Sequence, residues 1–301
     1  MLKNSVLKGV ILVGLGASSY GMLATFVKLA YQENYTTAEV TISQFIYGIL
    51  GMLLINAFQK STSKTAVEKA TPKNIFQLML AGTSLGMTSV FYYLCVRYID
   101  VSIAIVLLMQ TVWMGVLLEW FLEKRKPSTQ KTIAVLIVLV GTILATNILN
   151  SKVAIDWRGI FWGLLAAASF TTTMFTANRI ALGISSAQRS LYMLLGGAVI
   201  VFGFALFTQN TPFNFDIFLK WGIFLALFGT IIPPILMNAG FPITGIGLGS
   251  IVSALELPVS VLMAYIILSE KVVFIQWIGI ILIIIAIIIM NIKSNFLSKN
   301  Q

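Results

Sequence analysis

Ten long apolar stretches, each closed off by polar or turn-forming residues, run along the chain at roughly 7–29, 38–58, 74–96, 101–122, 130–149, 158–179, 188–207, 219–240, 245–268 and 274–293. Each is close to the roughly 20 residues that an α-helix needs to cross a bilayer. Strands of a membrane barrel are about ten residues long and alternate in hydrophobicity. The run Ile278 to Ile289 (IGIILIIIAIII) does neither. The pattern therefore predicts an all-α polytopic membrane protein with ten transmembrane helices. The first stretch continues into Phe26, Val27 and Lys28 with no cleavage-type end, which reads as a span and not as a signal peptide.

Charge placement orients the chain. With the N-terminus inside, the inner side receives Lys3, Lys8, Lys60, Lys64, Lys69, Lys73, Lys124, Arg125, Lys126, Lys131, Arg179, Arg189, Lys293 and Lys299, which is 14 of the 20 basic residues. The outer side keeps Lys28, Arg97, Lys152, Arg158, Lys220 and Lys271. This asymmetry obeys the positive-inside rule and puts both termini in the cytoplasm. The net charge of +10 is thereby a topology signal, and no nucleic-acid partner is implied.

The two halves also repeat. Lys8-Gly9 aligns with Arg158-Gly159, Ala17 with Ala167, Ser19 with Ser169 and Tyr20 with Phe170. Further on, Gly82-Thr83 aligns with Gly229-Thr230 and Glu123-Lys124 with Glu270-Lys271. Five spans per copy is an odd number, so the second copy enters the membrane from the other side. The expected organisation is two inverted five-helix repeats, 1–150 and 151–301, with a substrate site near the midplane where they meet.

Composition narrows the chemistry. Hydrophobic residues make up 58% of the chain and charged residues 10%, against about 25% charged in soluble domains. There is no histidine, which excludes a Ser-His-Asp triad and His-ligated zinc or haem. Cys95 is the lone cysteine, so no internal disulfide or thiolate cluster is available. No phosphate-binding loop of the GxxxxGK[ST] type occurs, and the hydrophilic loop 59–73 is too short for a nucleotide-binding domain. No metal or cofactor is implied, and transport fits better than catalysis. The rival readings are a non-transporting membrane scaffold and an intramembrane lipid-processing enzyme.

The stretch 244–291, TGIGLGSIVSALELPVSVLMAYIILSEKVVFIQWIGIILIIIAIIIMN, resembles the end of an EamA domain, and 98–146 resembles it more weakly. Two copies over nearly the whole chain are similar to the drug/metabolite transporter superfamily. The resemblance implies a secondary transporter, an exporter or an uptake carrier, of small metabolites such as amino acids across a bacterial cytoplasmic membrane. This chain has Gln110-Thr111 in the first copy where the second has Leu257-Pro258, and Leu257 separates Glu256 from Pro258.

Glu256 is the ionisable residue nearest a span centre, where a charge is costly and usually functional. It suits a substrate ammonium or a carried proton, and so proton coupling. Pro258 lacks an N–H and is expected to free the Ala254 carbonyl. Gln44, Tyr47, Tyr92, Tyr93, Gln110, Trp113, Thr172 and Asn238 complete a candidate cavity with aromatic walls and few fixed charges, suited to a zwitterionic or amphipathic solute. Pro233, Pro234, Pro258 and Gly245 are the candidate hinge positions. Glu119 is expected to pair with Lys124, Arg125 and Lys126, and Arg97 and Arg179 to reach the lipid headgroups.

Overall fold

The computed structural model describes residues 2–62, 68–99, 101–148 and 156–297. The border between the halves at 150 and 151, the middle of the 59–73 loop, and Lys64, Lys152 and Lys299 lie outside the described residues, as do the side chains of Lys3 and Lys293. Among the described residues every regular element is helical.

The elements are α1 (Leu2–Gln32), α2 (Thr37–Thr62), α3 (Pro72–Tyr98), α4 (Val101–Leu108), α5 (Thr111–Glu123), α6 (Thr129–Ala145), α7 (Trp157–Arg179), α8 (Ser186–Thr208), α9 (Ile223–Ala226), α10 (Ile232–Ser253), α11 (Glu256–Ile267) and α12 (Phe274–Leu297). Wide π-helical turns, Phe218–Gly222 and Leu227–Ile231, flank α9. Seven helical stretches among the described residues are long and apolar enough to cross a membrane. One of them, Phe218–Ile267, runs for 50 residues, and Thr129–Ala145 and Phe274–Met290 are shorter apolar helices.

Local chemistry sets the ends. Ser128 and Ser185 accept backbone N–H bonds from Lys131 and Gln188 as N-caps, each at 3.2 Å, and Thr71 caps α3 just before Pro72. At α2 the Thr36 hydroxyl accepts from Glu39 N–H at 3.2 Å while Glu39 accepts from Thr36 N–H at 2.7 Å, a reciprocal capping box. The buried Glu39 carboxylate also accepts from the Asn214 N–H at 2.7 Å, which ties α2 to the loop after α8. Asp156 caps α7, and its hydrogen bonds from Arg158 hold its carboxyl below the usual carboxylate range. The Arg158 guanidinium lies 4.5 Å from the centre of the Tyr98 ring, joining the start of α7 to the end of α3.

Small residues let the backbones close up, as lipid-embedded helices require. Gly82 of α3 faces the Met193 backbone of α8, and Gly196 of α8 faces the Met79 backbone, so a Cβ at either would overlap a carbonyl. Gly141 of α6 and Gly279 of α12 bring those two helices together in the same way. Gln130 then donates to the Ile289 carbonyl at 2.6 Å and Gln276 to the Ala145 carbonyl at 3.0 Å, one bond at each end of the antiparallel pair.

The helices of the two halves interleave. α1 lies along α10 and α11, and α7 lies along α3 and α4. Gly9 of α1 packs on Ile243 and Thr244, and Gly21 of α1 against the Glu256 backbone. The centre therefore forms where α1, α3, α7, α10 and α11 converge.

Candidate functional site

Two helix interruptions shape the centre. The stretch read as 101–122 is α4 and α5, separated at Met109 and Gln110. The stretch read as 245–268 is divided at Ala254 and Leu255, and α11 starts at Glu256. A break leaves carbonyls without their helical N–H, and the surroundings must supply another donor. At the first break the Gln110 side-chain amide donates to the Val106 carbonyl at 2.9 Å and accepts from Trp113 Nε1 at 2.9 Å. Gln110 and Trp113 are thus occupied with each other. Trp113 is 37% exposed, on the same outer stripe as Trp120 and Phe121. At the second break the Ala254 carbonyl, expected to be free because of Pro258, is taken by the Leu257 N–H at 3.2 Å.

A third interruption lies within α10. Pro233 and Pro234, both buried, stand in its first turn directly after the π-helical turn ending at Ile231. Pro242 removes the donor that would serve the Asn238 carbonyl, and Gly245 sits at φ 75°, ψ 173°. That backbone conformation is essentially restricted to glycine. Arg189 Nη1 donates to the Asn238 carbonyl at 2.7 Å, and Asn178 Nδ2 donates to the Phe241 carbonyl at 2.7 Å. The buried Arg189 also serves the carbonyls of Ile180, Thr176 and Ala177 at the end of α7. Its charge lies against the negative end of that helix.

Around these breaks sits a set of polar groups. Glu256 is half-buried at the start of α11. Among the described residues none donates a hydrogen bond to its carboxyl or forms an ion pair with it. Tyr20 of α1 and Tyr92 of α3 lie within electrostatic reach of that carboxyl. Tyr92 stands edge-on to Tyr93, with ring centres 6.2 Å apart. Tyr93 in turn reaches Tyr31, whose hydroxyl shares a hydrogen bond with the Thr37 hydroxyl at 3.2 Å. An adjoining cavity is lined by Tyr20, Phe170, Thr173, Met193, Pro234 and Asn238. Asn238 Nδ2 donates to Ser190 Oγ at 2.8 Å, while its buried Oδ1 has no partner among the described residues.

The candidate residues thus divide. Glu256, Tyr92, Tyr93, Asn238 and Pro234 gather at the centre. Gln44 and Tyr47 sit away from it, in the packing between α2 and the π-helical region. The Gln44 side chain covers Gly229, and Tyr47 meets Phe218 edge-on at 5.4 Å. Thr172 is exposed on the outer stripe of α7 with Phe161 and Leu164, and its hydroxyl bonds back to the Ala168 carbonyl. The neighbouring Thr173 is the one that lines the cavity, bonded to Ser84 at 2.8 Å. Glu119 pairs with Lys131 and not with the 124–126 cluster, and Arg179 pairs with Glu123 at 3.4 Å, both side chains about half exposed. Tyr20, Tyr31, Thr173 and Arg189 were not singled out from the sequence. The alignment of Tyr20 with Phe170 was a usable signal, because those rings meet edge-on at 6.1 Å.

Comparison with known proteins adds to this geometry. The EamA-like transporter family matches residues 7–147 and matches again over residues 157–292. The chain belongs to the EamA-like transporter family. As a member it is a multi-pass membrane protein of a transporting family, and the double match follows the repeat seen in its sequence. GDP-fucose transporter 1 of Dictyostelium discoideum is 27% identical over 134 residues. That match covers 42% of this chain and about a third (35%) of the relative's own length. A solved protein crystal structure superposes with a TM-score of 0.76 at 14% identity, over 96% of this chain and 98% of its own. At that identity the likeness is one of fold, and it extends over essentially the whole EamA-type chain.

Proposed function

We propose that this protein is a ten-crossing secondary transporter, built from inverted halves 1–150 and 151–301, that exports small ammonium-bearing solutes such as amino acids. Helix lengths support the crossing count. The 50 residues of Phe218–Ile267, broken at Gly245, are enough for two passages. Thr129–Ala145 and Phe274–Met290 add one each, as an antiparallel pair glued by Gln130 and Gln276. Inversion is supported by equivalent features in both halves. Helices α4/α5 and α10/α11 break near the middle of their passages. Glu123 pairs with Arg179, and its repeat partner Glu270 pairs with Lys28.

The observation that carries the reading is the unpartnered Glu256 carboxyl beside broken helices and facing tyrosines. Discontinuous helices at the meeting of repeats are the usual setting for a midplane transport site. A carboxylate there attracts an ammonium, and tyrosine rings stabilise a cation over their faces. The free Oδ1 of Asn238 is a further acceptor for a donor group of the solute. The GDP-fucose transporter acts, by its name, on a diphosphate, which calls for fixed cations. Here the deeply buried Arg189 is already committed to four carbonyls, which favours a zwitterionic or amphipathic solute over a polyanion. Glu256 is also the proton carrier, and the membrane is the bacterial cytoplasmic one.

Uptake assays in liposomes containing this protein alone test the proposal, with labelled amino acids and amphipathic amines as probes. Saturable flux supports the transporter. Turnover of the liposome lipid would favour the intramembrane enzyme, and neither activity would favour the scaffold.

A further inference from the structure

The inner end of the bundle carries a polar junction built on an interrupted helix, whereas at the outer end the halves are joined by other pairs, Lys28 with Glu270, Lys220 with Glu33, and Glu39 with the Asn214 N–H. The carboxylate of Glu119, in the last turns of α5, accepts the Gly247 N–H at 3.2 Å through Oε1. Its Oε2 pairs with Lys131 Nζ of α6, and both side chains are largely enclosed, at 12% and 24% exposure. Gly247 lies in the first turn after the Gly245 break, so its N–H has no helical partner and points along a positive helix end. A Cβ at Gly247 would overlap the Glu119 carboxylate, and one at Gly245 would come within 2.9 Å of it. The fit therefore depends on glycine at both positions.

One turn further in, the two helices are fastened again. Ser250 Oγ donates to the Val112 carbonyl at 3.1 Å, and Gly115 sits directly against Ser250. Thus α5 packs closely on α10. The outer continuations of the same two passages, α4 and α11, make no comparable contact among the described residues. Position 266, which the repeat places opposite Glu119, is the exposed Ile266. This α5–α10 closure thus joins the first half to the second at the end where α1 begins and is not repeated between α4 and α11.

We propose that Glu119 and Lys131 form the inner latch of the transporter, holding the start of the α10 segment after Gly245 against α5 and α6 and parting from it when the inner end opens. They are positioning residues and do not touch the solute. The proposal rests on the transporter reading given above, with its two inverted halves alternating access around the central site. It goes beyond that reading by assigning the inner closure to one carboxylate, one lysine and one backbone N–H.

The test uses a membrane-impermeant maleimide in a Cys95→Ala background. One reporter is Ala177→Cys, in the cavity on the inner side, and the other is Tyr93→Cys, toward the outer side. Glu119→Gln keeps the shape but weakens both contacts. It is expected to raise labelling of the inner reporter from the inner face about tenfold, and to lower labelling of the outer reporter. That factor corresponds to about 1.4 kcal/mol, the scale of one hydrogen bond to a charged group. Lys131→Gln, which leaves the bond to Gly247, is expected to move both rates the same way by a smaller factor. It keeps the question decidable if Glu119→Gln does not fold. Unchanged rates in folded variants would overturn the latch, and so would equal increases at both reporters, because those report general loosening. If the two reporters in otherwise unaltered protein label from the same face, the inverted ten-crossing reading itself fails, and the latch with it.

Discussion

Arg189 Nη1 donates to the Asn238 carbonyl at 2.7 Å, and that carbonyl is the one Pro242 leaves without its helical partner. A cation from one helix thus completes the interrupted backbone of another, at the wall of the central cavity. Arg189→Leu would orphan the carbonyls of Ile180, Ala177 and Asn238 together, while Thr176 keeps the Ile180 N–H at 3.0 Å. Each buried orphan costs about 1–3 kcal/mol, so a loss of about 3 kcal/mol or more is expected. Thermal unfolding in detergent checks it. Arg189→Lys should be intermediate, because an ammonium lacks the planar fork that reaches several carbonyls at once.

The phase of α7 gives a second test. Thr173→Val removes a cavity hydroxyl and its bond to Ser84, and is expected to lower stability by about 1 kcal/mol and to change solute affinity. Thr172→Val, on the outer stripe, should stay within about 0.5 kcal/mol and leave transport unchanged. Unfolding temperature and transport KM, measured side by side on both variants, separate the two faces.

Close backbone approach gives a third. Gly82→Ala places a methyl group against the Met193 carbonyl of α8 and should sharply reduce the yield of folded protein. Gly203→Ala meets nothing within 4 Å and should be neutral, or stabilising by up to about 1 kcal/mol through helix propensity. Size-exclusion profiles of the two variants distinguish these outcomes.

The helices were legible because lipid demands long apolar runs, and the pattern of those runs survives folding nearly unchanged. The charged residue at the centre, Glu256, was legible for the same reason: it stands out against an apolar span. What the sequence hid was helical phase and backbone repair. Thr171, Thr172 and Thr173 are identical side chains at 100° intervals, and pattern alone does not say which one turns inward. Gln110 looked like a cavity ligand, but its amide is consumed by the Val106 carbonyl at a break that no proline or glycine announces. Arg189 and Glu119 read as ordinary inner-side charges. Their partners are a carbonyl 49 residues away and an N–H 128 residues away, and both needs arise only once α10 is interrupted.

The central claim, that Glu256 is the working carboxylate of a transporter, is met most directly by counterflow uptake in proteoliposomes, comparing the natural protein with Glu256→Gln. The substitution keeps the size of the side chain and removes its titratable charge. The account predicts saturable uptake of an ammonium-bearing solute by the natural protein, and at least tenfold less by the variant, with folded yield and unfolding temperature unaltered. Equal uptake by both proteins would contradict it and take Glu256 out of the transport site.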